Sequence, residues 1–189
     1  MIPQTFIFFG IVGSGKGTQV KLLLEYLKQK DSHECVYIGT GEIFRTIPEV
    51  KEILNMGKLV SDDMTNNLVL KKFETALSSE KHAIFDGYPR TVAQSEYFER
   101  EIKAQERGGI KIIYIELSQA EAMKRNLLRG RHDDTEEGLK KRFEEYENKV
   151  IPAMNYFNGK AGYTIYTING EQSVEAVHAE IISKLDFRP

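Results

Sequence analysis

The sequence predicts a three-layer α/β fold, in which a five-stranded parallel sheet carries helices on both faces. Five short apolar runs bounded by turn residues recur along the chain, at Phe6–Phe9, Cys35–Ile38, Ala83–Phe85, Ile110–Leu117 and Tyr163–Ile168. Continuous hydrophobicity is typical of strands that are covered on both faces. Stretches with helical periodicity lie between these runs. Strands that alternate with helices indicate right-handed crossovers and a parallel sheet.

The helical periodicity is clearest in three segments. Val20, Leu23, Leu24 and Leu27 lie at positions i, i+3, i+4 and i+7, which places them on one face of a helix. A similar spacing recurs from Leu68 to Leu77 and from Val174 to Leu185. The segment 39–67 has no strand candidate, so we expect a small helical insertion there.

Composition excludes several functional classes. The chain has 189 residues, enough for one domain with a sizeable core, and it is 41% hydrophobic and 29% charged. A formal net charge of −2 gives no basic footprint for nucleic acid. No apolar run approaches the roughly 20 residues that span a bilayer, and the N-terminus has no signal-type pattern. We therefore expect a soluble cytoplasmic enzyme with neither nucleic acid nor membrane as a partner.

The single cysteine, Cys35, excludes an internal disulfide framework and a zinc site with four cysteines. Its apolar neighbours in the second strand favour a buried thiol over a reactive one.

The segment directly after the first strand has the spacing of a phosphate-binding loop. It reads Gly10-Ile11-Val12-Gly13-Ser14-Gly15-Lys16-Gly17-Thr18, and the amphipathic helix follows. Glycines let consecutive backbone N–H groups point into one concavity, and the helix N-terminus favours an anion. Lys16 is placed to reach the β- and γ-phosphates, and Thr18 to orient a phosphate or a metal. A chance glycine-rich turn explains the order of strand, loop and helix less well.

The stretch Gly10–Gln19, Gly-x-x-Gly-x-Gly-Lys-Gly-Thr-Gln, resembles the adenylate kinase family, and the resemblance continues along nearly the whole chain. It implies a P-loop kinase fold over residues 1–189 and reversible phosphoryl transfer from ATP to AMP, giving two ADP. It also implies Mg²⁺ as cofactor, ATP and AMP as partners, and a monomer. The ATP-binding residues that it implies are Gly13, Ser14, Gly15, Lys16, Gly17, Thr18, Arg125, Arg129 and Gln172.

The acceptor side resembles the family in three segments. In Gly39–Arg45, the resemblance places Thr40 near the acceptor base and Arg45 on its phosphate, although Gly39 and Glu42 replace the family's serine and aspartate. In Met56–Asp62, it implies that backbone at Lys58–Val60 lines the base pocket, and Gly57 also fits a helix C-terminus. The AMP-binding residues implied in total are Thr40, Arg45, Lys58, Val60, Gly87, Arg90, Gln94, Arg131 and Arg142.

The most specific segment is Phe85-Asp86-Gly87-Tyr88-Pro89-Arg90, with Thr91 and Gln94. Asp86 ends the third strand, where a carboxylate can hold the hydration shell of Mg²⁺. Arg90 can bind a phosphate in a bidentate way. By resemblance, Gln94 reads the adenine edge of AMP, and Thr40 with Gln94 favours AMP over UMP or CMP.

Four arginines resemble the lid of the family. Arg125 and Arg129 lie on one helix face and would contact ATP; Arg131 and Arg142 would bridge the phosphates being exchanged. By resemblance, residues 129–134 would form a minimal lid, which has no cysteines for zinc. Asp134 also fits an N-cap with Glu137 in a capping box.

Near the C-terminus, Gln172 is a candidate contact to the donor adenine, and a plain strand-to-helix turn capped by Ser173 fits equally well. The residues to which the resemblance assigns catalysis are Lys16, Asp86, Arg90, Arg131 and Arg142. Two alternative functions remain: a kinase for another nucleoside monophosphate such as UMP or CMP, and a nucleotide-binding regulator without transfer activity.

Overall fold

The computed structural model describes residues 2–50, 60–76, 80–130 and 135–187, and these form a five-stranded parallel sheet with helices on both faces. The spatial order of the strands is β2-β3-β1-β4-β5. Their bounds are β1 Thr5–Gly10, β2 Cys35–Gly39, β3 His82–Asp86, β4 Ile110–Glu116 and β5 Tyr163–Asn169. The predicted fold class is confirmed, and each predicted strand matches within about one residue at either end.

The helices follow the crossovers of the sheet. Their bounds are α1 Lys16–Lys30, α2 Thr40–Thr46, α3 Asp62–Ala76, α4 Val92–Ala104, α5 Gln119–Arg129, α6 Glu136–Glu145, α7 Ile151–Asn155 and α8 Val174–Leu185. A π-helical turn, Tyr146–Val150, joins α6 to α7. Within the described ranges, no helix is long and apolar enough to cross a membrane.

The two faces of the sheet bury separate apolar cores because successive strand side chains point to opposite sides. Phe6 and Phe8 of β1 belong to the cluster that includes Leu23 of α1 and Ile181 of α8. Ile7 and Phe9 belong to the other cluster, with Phe98 of α4 and Phe157 after α7. Helices therefore cover both faces of β1, which explains why the strand reads as an unbroken apolar run.

The carboxyl ends of all five strands lie along one edge because the sheet is parallel. Gly39 at the end of β2 pairs with Asp86 at the end of β3, and Phe8 of β1 pairs with Asp86 on the other side. This register brings the segments that follow β1, β2 and β3 together at one edge, where open α/β sheets bind ligands.

A polar cluster stabilises the opposite, amino-terminal edge. Oδ1 of Asp31 accepts hydrogen bonds from the backbone N–H of His33 at 3.1 Å and from its Nδ1 at 2.6 Å. The fully buried ring of His82 has Nε2 3.4 Å from Oδ2 of Asp31, and its Nδ1 accepts from the N–H of Gln4 at 3.0 Å. Because Nδ1 is the acceptor, the neutral ring carries its proton on Nε2, which suits a bond to a carboxylate better than a metal.

Two local predictions concern capping and the cysteine. The N-cap of α6 is Thr135, whose side chain accepts from the N–H of Gly138 at 3.1 Å, so the prediction of Asp134 as N-cap is wrong. Thr135 lies directly before α6, so its hydroxyl can accept a hydrogen bond from the N–H of the third residue of that helix. Cys35 is partly buried, and burial raises the pKa of its thiol to about 12, which agrees with an unreactive cysteine.

Candidate active site

The phosphate loop connects β1 to α1, and Lys16 is the first residue of that helix. Its ammonium donates to the carbonyl oxygens of Gly10 at 2.5 Å and Ile11 at 2.9 Å, and to Oγ of Ser14 at 3.3 Å. The N-cap, Gly15, supplies no side-chain acceptor to the first turn of α1. The loop therefore holds a cation on its carbonyl groups and leaves the first turn uncapped by a side chain, as an anion site requires.

The electrostatics of Lys16 place four charged groups close together. Its pKa is lowered to about 8, chiefly because burial disfavours the ammonium; Asp86 raises the pKa, while Arg90 and Arg129 lower it. Desolvation likewise lowers the pKa of Arg90, while the negative charges of Asp86 and Glu145 act in the opposite direction and raise it. Residues from the loops after β1 and β3 and from the end of α5 thus converge at the carboxyl edge of the sheet.

The carbonyl of Gly87 joins the two segments predicted to bind the acceptor. It accepts hydrogen bonds from Oγ1 of Thr40 at 2.8 Å and from Nε of Arg90 at 2.7 Å. Gly87 has a φ of +74°, and a Cβ there would lie 2.7 Å from Oγ1 of Thr40 and 2.8 Å from Nη2 of Arg90. Only glycine combines this backbone conformation with room for both side chains.

Gln94 is nearly fully buried in α4, and both ends of its amide are engaged. Oε1 accepts from the N–H of Arg90 at 2.8 Å, and Nε2 donates to Oδ1 of Asp62 at 2.7 Å. Oδ2 of Asp62 accepts from Oγ1 of Thr91 at 2.9 Å. Asp62, the first residue of α3, was missed by sequence reasoning, and its acidic position at a helix start was the available signal. The role of Gln94 in reading adenine stays a prediction.

Asp86 lies at the end of β3, half-buried, with the hydroxyl of Tyr37 3.4 Å from its Oδ2. The side chain of Tyr37 lies over Gly39, two residues along the same strand. A Cβ at position 39 would lie 2.2 Å from the hydroxyl oxygen of Tyr37. This packing gives a steric reason for glycine at position 39, where the family pattern has serine. As expected for glycine, Gly39 caps α2 with no side-chain hydrogen bond.

The two arginines predicted to contact the donor, Arg125 and Arg129, both lie on α5. Nε of Arg125 donates to Oε1 of Glu121 at 2.8 Å, and its Nη1 donates to the carbonyl of Gly170 at 3.0 Å. Nη2 of Arg129 donates to Oδ1 of Asn126 at 2.6 Å. Arg125 therefore ties the helix to the loop between β5 and α8, and Arg129 is held at the end of the helix. Asn126 was also missed, although a polar residue three positions before an arginine was visible in the sequence.

Gln172 lies in the loop after β5, and its side chain is bound within the protein. Nε2 donates to Oε2 of Glu180 at 2.7 Å and to the carbonyl of Asn169 at 3.1 Å. Ser173 caps α8 by accepting from the N–H of Ala176 at 3.3 Å, so the expected turn and cap are confirmed. A side-chain contact from Gln172 to adenine stays a prediction.

The remaining predicted residues are distributed as follows. Gly13, Ser14, Gly15, Gly17 and Thr18 lie in the phosphate loop or the first turn of α1, with Ser14 buried. Arg142 lies in the last turn of α6, half-buried. Arg45 belongs to α2, and Val60 precedes α3. The predictions for Lys58 and Arg131 fall outside the described residues, as do most of the predicted lid and part of the insertion.

Comparison with known proteins agrees with this arrangement. The family model described as adenylate kinase matches residues 8–162, which include the phosphate loop, the acceptor segments and the arginines of α5 and α6. The chain belongs to the adenylate kinase family.

Individual relatives cover almost the full chain. Adenylate kinase 1 of Nostoc sp. is 32% identical over 187 residues, covering 95% of this chain and 97% of that protein. The adenylate kinase of Corynebacterium urealyticum is 30% identical, covering 95% and 98%. That of Prochlorococcus marinus (strain MIT 9301) is 29% identical, covering 97% and 100%. The resemblance therefore extends from the first strand to the last helix.

Proposed function

We propose that this chain catalyses reversible transfer of the γ-phosphoryl group of ATP to AMP, giving two ADP. The observation that carries the proposal is the convergence of Lys16, Asp86, Arg90 and Arg129 on the carboxyl edge of the sheet, where the charges of the other three act on the pKa of Lys16. Phosphoryl transfer depends on positioning and on cations around the transferring group, and this cluster supplies both. Membership of the adenylate kinase family and the names of its relatives support the same reaction.

The donor triphosphate would bind in the phosphate loop. Lys16 would exchange its hydrogen bonds to the carbonyls of Gly10 and Ile11 for hydrogen bonds to phosphate oxygens. Phosphate oxygens are already ionised, so they are stronger acceptors for an ammonium than a carbonyl is. Arg125 and Arg129 lie on the same helix beside the loop, and Arg125 already contacts Gly170 in the loop that would border the donor base. We therefore propose that α5 carries the donor contacts outside the phosphate loop.

Mg²⁺ would accompany the donor, and Asp86 is the residue proposed to hold it. The carboxylate of Asp86 is half-buried and close enough to Lys16 to raise its pKa, so it faces the phosphate loop. A single carboxylate suits a cation that retains most of its waters. When bound, Mg²⁺ neutralises charge that develops on the phosphate oxygens.

The acceptor would bind against Thr40 and Arg90, which meet at the carbonyl of Gly87. The two remaining nitrogens of the Arg90 guanidinium can form a bidentate contact with a phosphate while Nε stays on Gly87. Arg45, Arg131 and Arg142 complete the proposed acceptor and bridging set. The backbone at Lys58–Val60 and the side chain of Gln94 are proposed for the base.

No general base is needed, because the phosphate of a nucleoside monophosphate is largely ionised at neutral pH, its second pKa being about 6. Water would compete as acceptor, so the lid and the acceptor insertion must close before transfer. The choice of AMP rests on Thr40 and Gln94. The engaged amide of Gln94 keeps UMP and CMP as the alternative acceptors.

The test is ADP formation from ATP and Mg²⁺ with AMP, UMP, CMP, GMP and their deoxy forms, each as sole acceptor. We expect AMP to give the highest kcat/KM. A higher value with UMP or CMP would keep the chemistry and change the acceptor. Turnover with none of them, while ATP still binds, would support a regulator instead.

Matched variants connect the activity to the site. Lys16→Met should abolish turnover, whereas Lys21→Met, at an exposed lysine on the same helix, should leave it within about twofold. Equal activity in both variants would show that the phosphate loop has been assigned wrongly. A monomeric state and a cytoplasmic location complete the proposal, and sedimentation of the purified protein tests the first.

A further inference from the structure

Asn126 of α5 is a fully buried amide that connects three parts of the site. Its Nδ2 donates to the carbonyl of Val12 in the phosphate loop at 3.0 Å and to the carbonyl of Ala122 at 2.7 Å. Its Oδ1 accepts from Nη2 of Arg129 at 2.6 Å. One side chain thus uses both of its donors and its acceptor on the loop, the helix and the arginine.

The chemistry of these contacts requires an amide. Asparagine has two N–H donors and a carbonyl acceptor, which match two carbonyl oxygens and one guanidinium. A carboxylate at this position would bind Arg129 but would place negative charge against the carbonyls of Val12 and Ala122. A leucine of similar size would contact none of the three through hydrogen bonds.

The phosphate loop is shaped to receive this amide. Gly13 has a φ of +89°, and a Cβ there would lie 2.3 Å from Nδ2 of Asn126. Any side chain at position 13 would therefore push the amide away from the carbonyl of Val12. The loop and Asn126 form one packed unit, and Arg129 is attached to that unit by a charge-assisted hydrogen bond.

We propose that Asn126 is a positioning residue for the donor phosphates, which holds Arg129 at a constant separation from the phosphate loop before the nucleotide binds. This inference rests on the proposed function, because it takes the loop and Arg129 as the donor site. An exposed arginine loses several side-chain rotamers when it binds a phosphate. Attachment to a buried amide removes part of that entropy loss before binding. The affinity for ATP should therefore increase, and the affinity for AMP should not change.

The test compares Asn126→Leu and Asn126→Asp with the same changes at Asn155, an exposed asparagine at the end of α7. Because a hydrogen bond to a charged group contributes about 1.5–3 kcal/mol, we expect the KM for ATP to rise about tenfold or more in Asn126→Leu, with the KM for AMP within about twofold. The Asn155 variants should match the wild type. Equal rises in both KM values would indicate a general structural role and overturn the proposal.

A double-mutant cycle tests whether Asn126 acts through Arg129. We expect Arg129→Ala to weaken ATP binding, and Asn126→Leu to add less than about twofold in that background. Additive losses, or a loss in Asn126→Leu where Arg129→Ala has none, would overturn the coupling. Asn126→Ser provides a smaller change for the same cycle should the leucine variant unfold, as judged by thermal denaturation.

Calorimetric titration with ATP keeps this test separate from the proposed reaction. If the wild type transfers phosphate to no monophosphate, the proposed function fails, while the ATP affinities of the Asn126 variants still decide the positioning role. Unchanged ATP affinity in a folded Asn126→Leu protein would overturn the inference whatever the reaction.

Discussion

Thr40 and Arg90 share one acceptor: Oγ1 of Thr40 and Nε of Arg90 both donate to the carbonyl oxygen of Gly87, at 2.8 and 2.7 Å. The first residue of α2 and the arginine of the segment after β3 are thereby held at a fixed spacing. Both contacts lie within the protein, so they hold together two residues that are proposed to bind the acceptor. Such preorganisation reduces the entropy that must be lost when the acceptor binds.

Replacing Thr40 by valine should weaken the acceptor site selectively. Valine has nearly the same shape but lacks the hydroxyl, so Gly87 loses one of its two donors. A net loss of about 1 kcal/mol predicts a rise of about fivefold in the KM for AMP. Initial-rate kinetics with each substrate varied in turn measure it. Thr40→Ser keeps the hydroxyl and should stay near the wild type; a larger effect on ATP than on AMP would contradict this role.

Gly87→Ala should displace Arg90. The new Cβ would approach Oγ1 of Thr40 and Nη2 of Arg90 within 3 Å, in addition to the strain of a φ of +74°. A displacement of a phosphate-binding group by about 1 Å can reduce kcat by about a hundredfold. We expect a loss of that order, measured at saturating substrates.

Gly109→Ala is the matched control for that change. Gly109 has a φ of +65°, and a Cβ there would meet nothing within 4 Å. This variant carries the backbone strain without the collision, so it should lose stability and keep its kcat. Comparable losses of kcat in both variants would assign the effect to strain instead of to Arg90.

ATP binding should take up a proton at pH 8. Burial lowers the pKa of Lys16 to about 8, and a bound triphosphate would favour the ammonium and raise it. The affinity for ATP should therefore fall as the pH rises above 8. Calorimetry in two buffers of different ionisation enthalpy measures the proton uptake. Lys16→Arg stays charged and should take up none; an identical uptake in that variant would place the titration elsewhere.

The free energy of unfolding should decrease as the pH falls below about 6.5, partly because of the polar cluster of Asp31, His33 and His82 at the amino-terminal edge of the sheet. Burial lowers the pKa of His82, although the nearby carboxylate of Asp31 raises it in part. The unfolded chain therefore binds a proton at a higher pH than the folded protein does, so the stability that the neutral ring contributes is lost in acid. Hydrogen bonds from His33 hold the pKa of Asp31 well below its usual range, so its contribution is lost only at still lower pH. Urea unfolding at pH 7.5 and 5.5 measures the first change.

His82→Asn is the variant that isolates this effect. Asparagine retains an acceptor for the N–H of Gln4 and does not titrate, so the difference in unfolding free energy between the two pH values should shrink. An unchanged difference would show that other groups cause the acid sensitivity.

Several elements could be predicted from the sequence because their signals are local. The apolar runs of β1 and β4 and the apolar spacing of α1 follow from which side chains must be buried in a layered sheet. The glycines and Lys16 of the phosphate loop carry their geometry in the residue types themselves. The strands, the helix and the loop between them were predicted correctly without knowledge of any neighbour distant in sequence, and phosphate binding by the loop stays a prediction.

The contacts that organise the site were not readable in this way. Asp62 meets Gln94 across 32 positions, and Asn126 meets Val12 across 114. An aspartate at a helix start and an asparagine within a helix have common local explanations, so these signals did not identify the distant residues that Asp62 and Asn126 contact. The cap of α6 was wrongly given to Asp134 because Asp134 and Thr135 are both N-cap residue types and the capping-box spacing to Glu137 favoured the first of them.

By itself, the sequence determined the layered fold, the phosphate loop and the residue types available for phosphate chemistry, because burial periodicity and glycine-rich turns act over a few residues. Only the tertiary structure decided which carbonyl joins Thr40 to Arg90 and which amide joins Arg129 to the phosphate loop. Hydrogen bonds form over about 3 Å, and the strand order and register bring such distant residues to that distance.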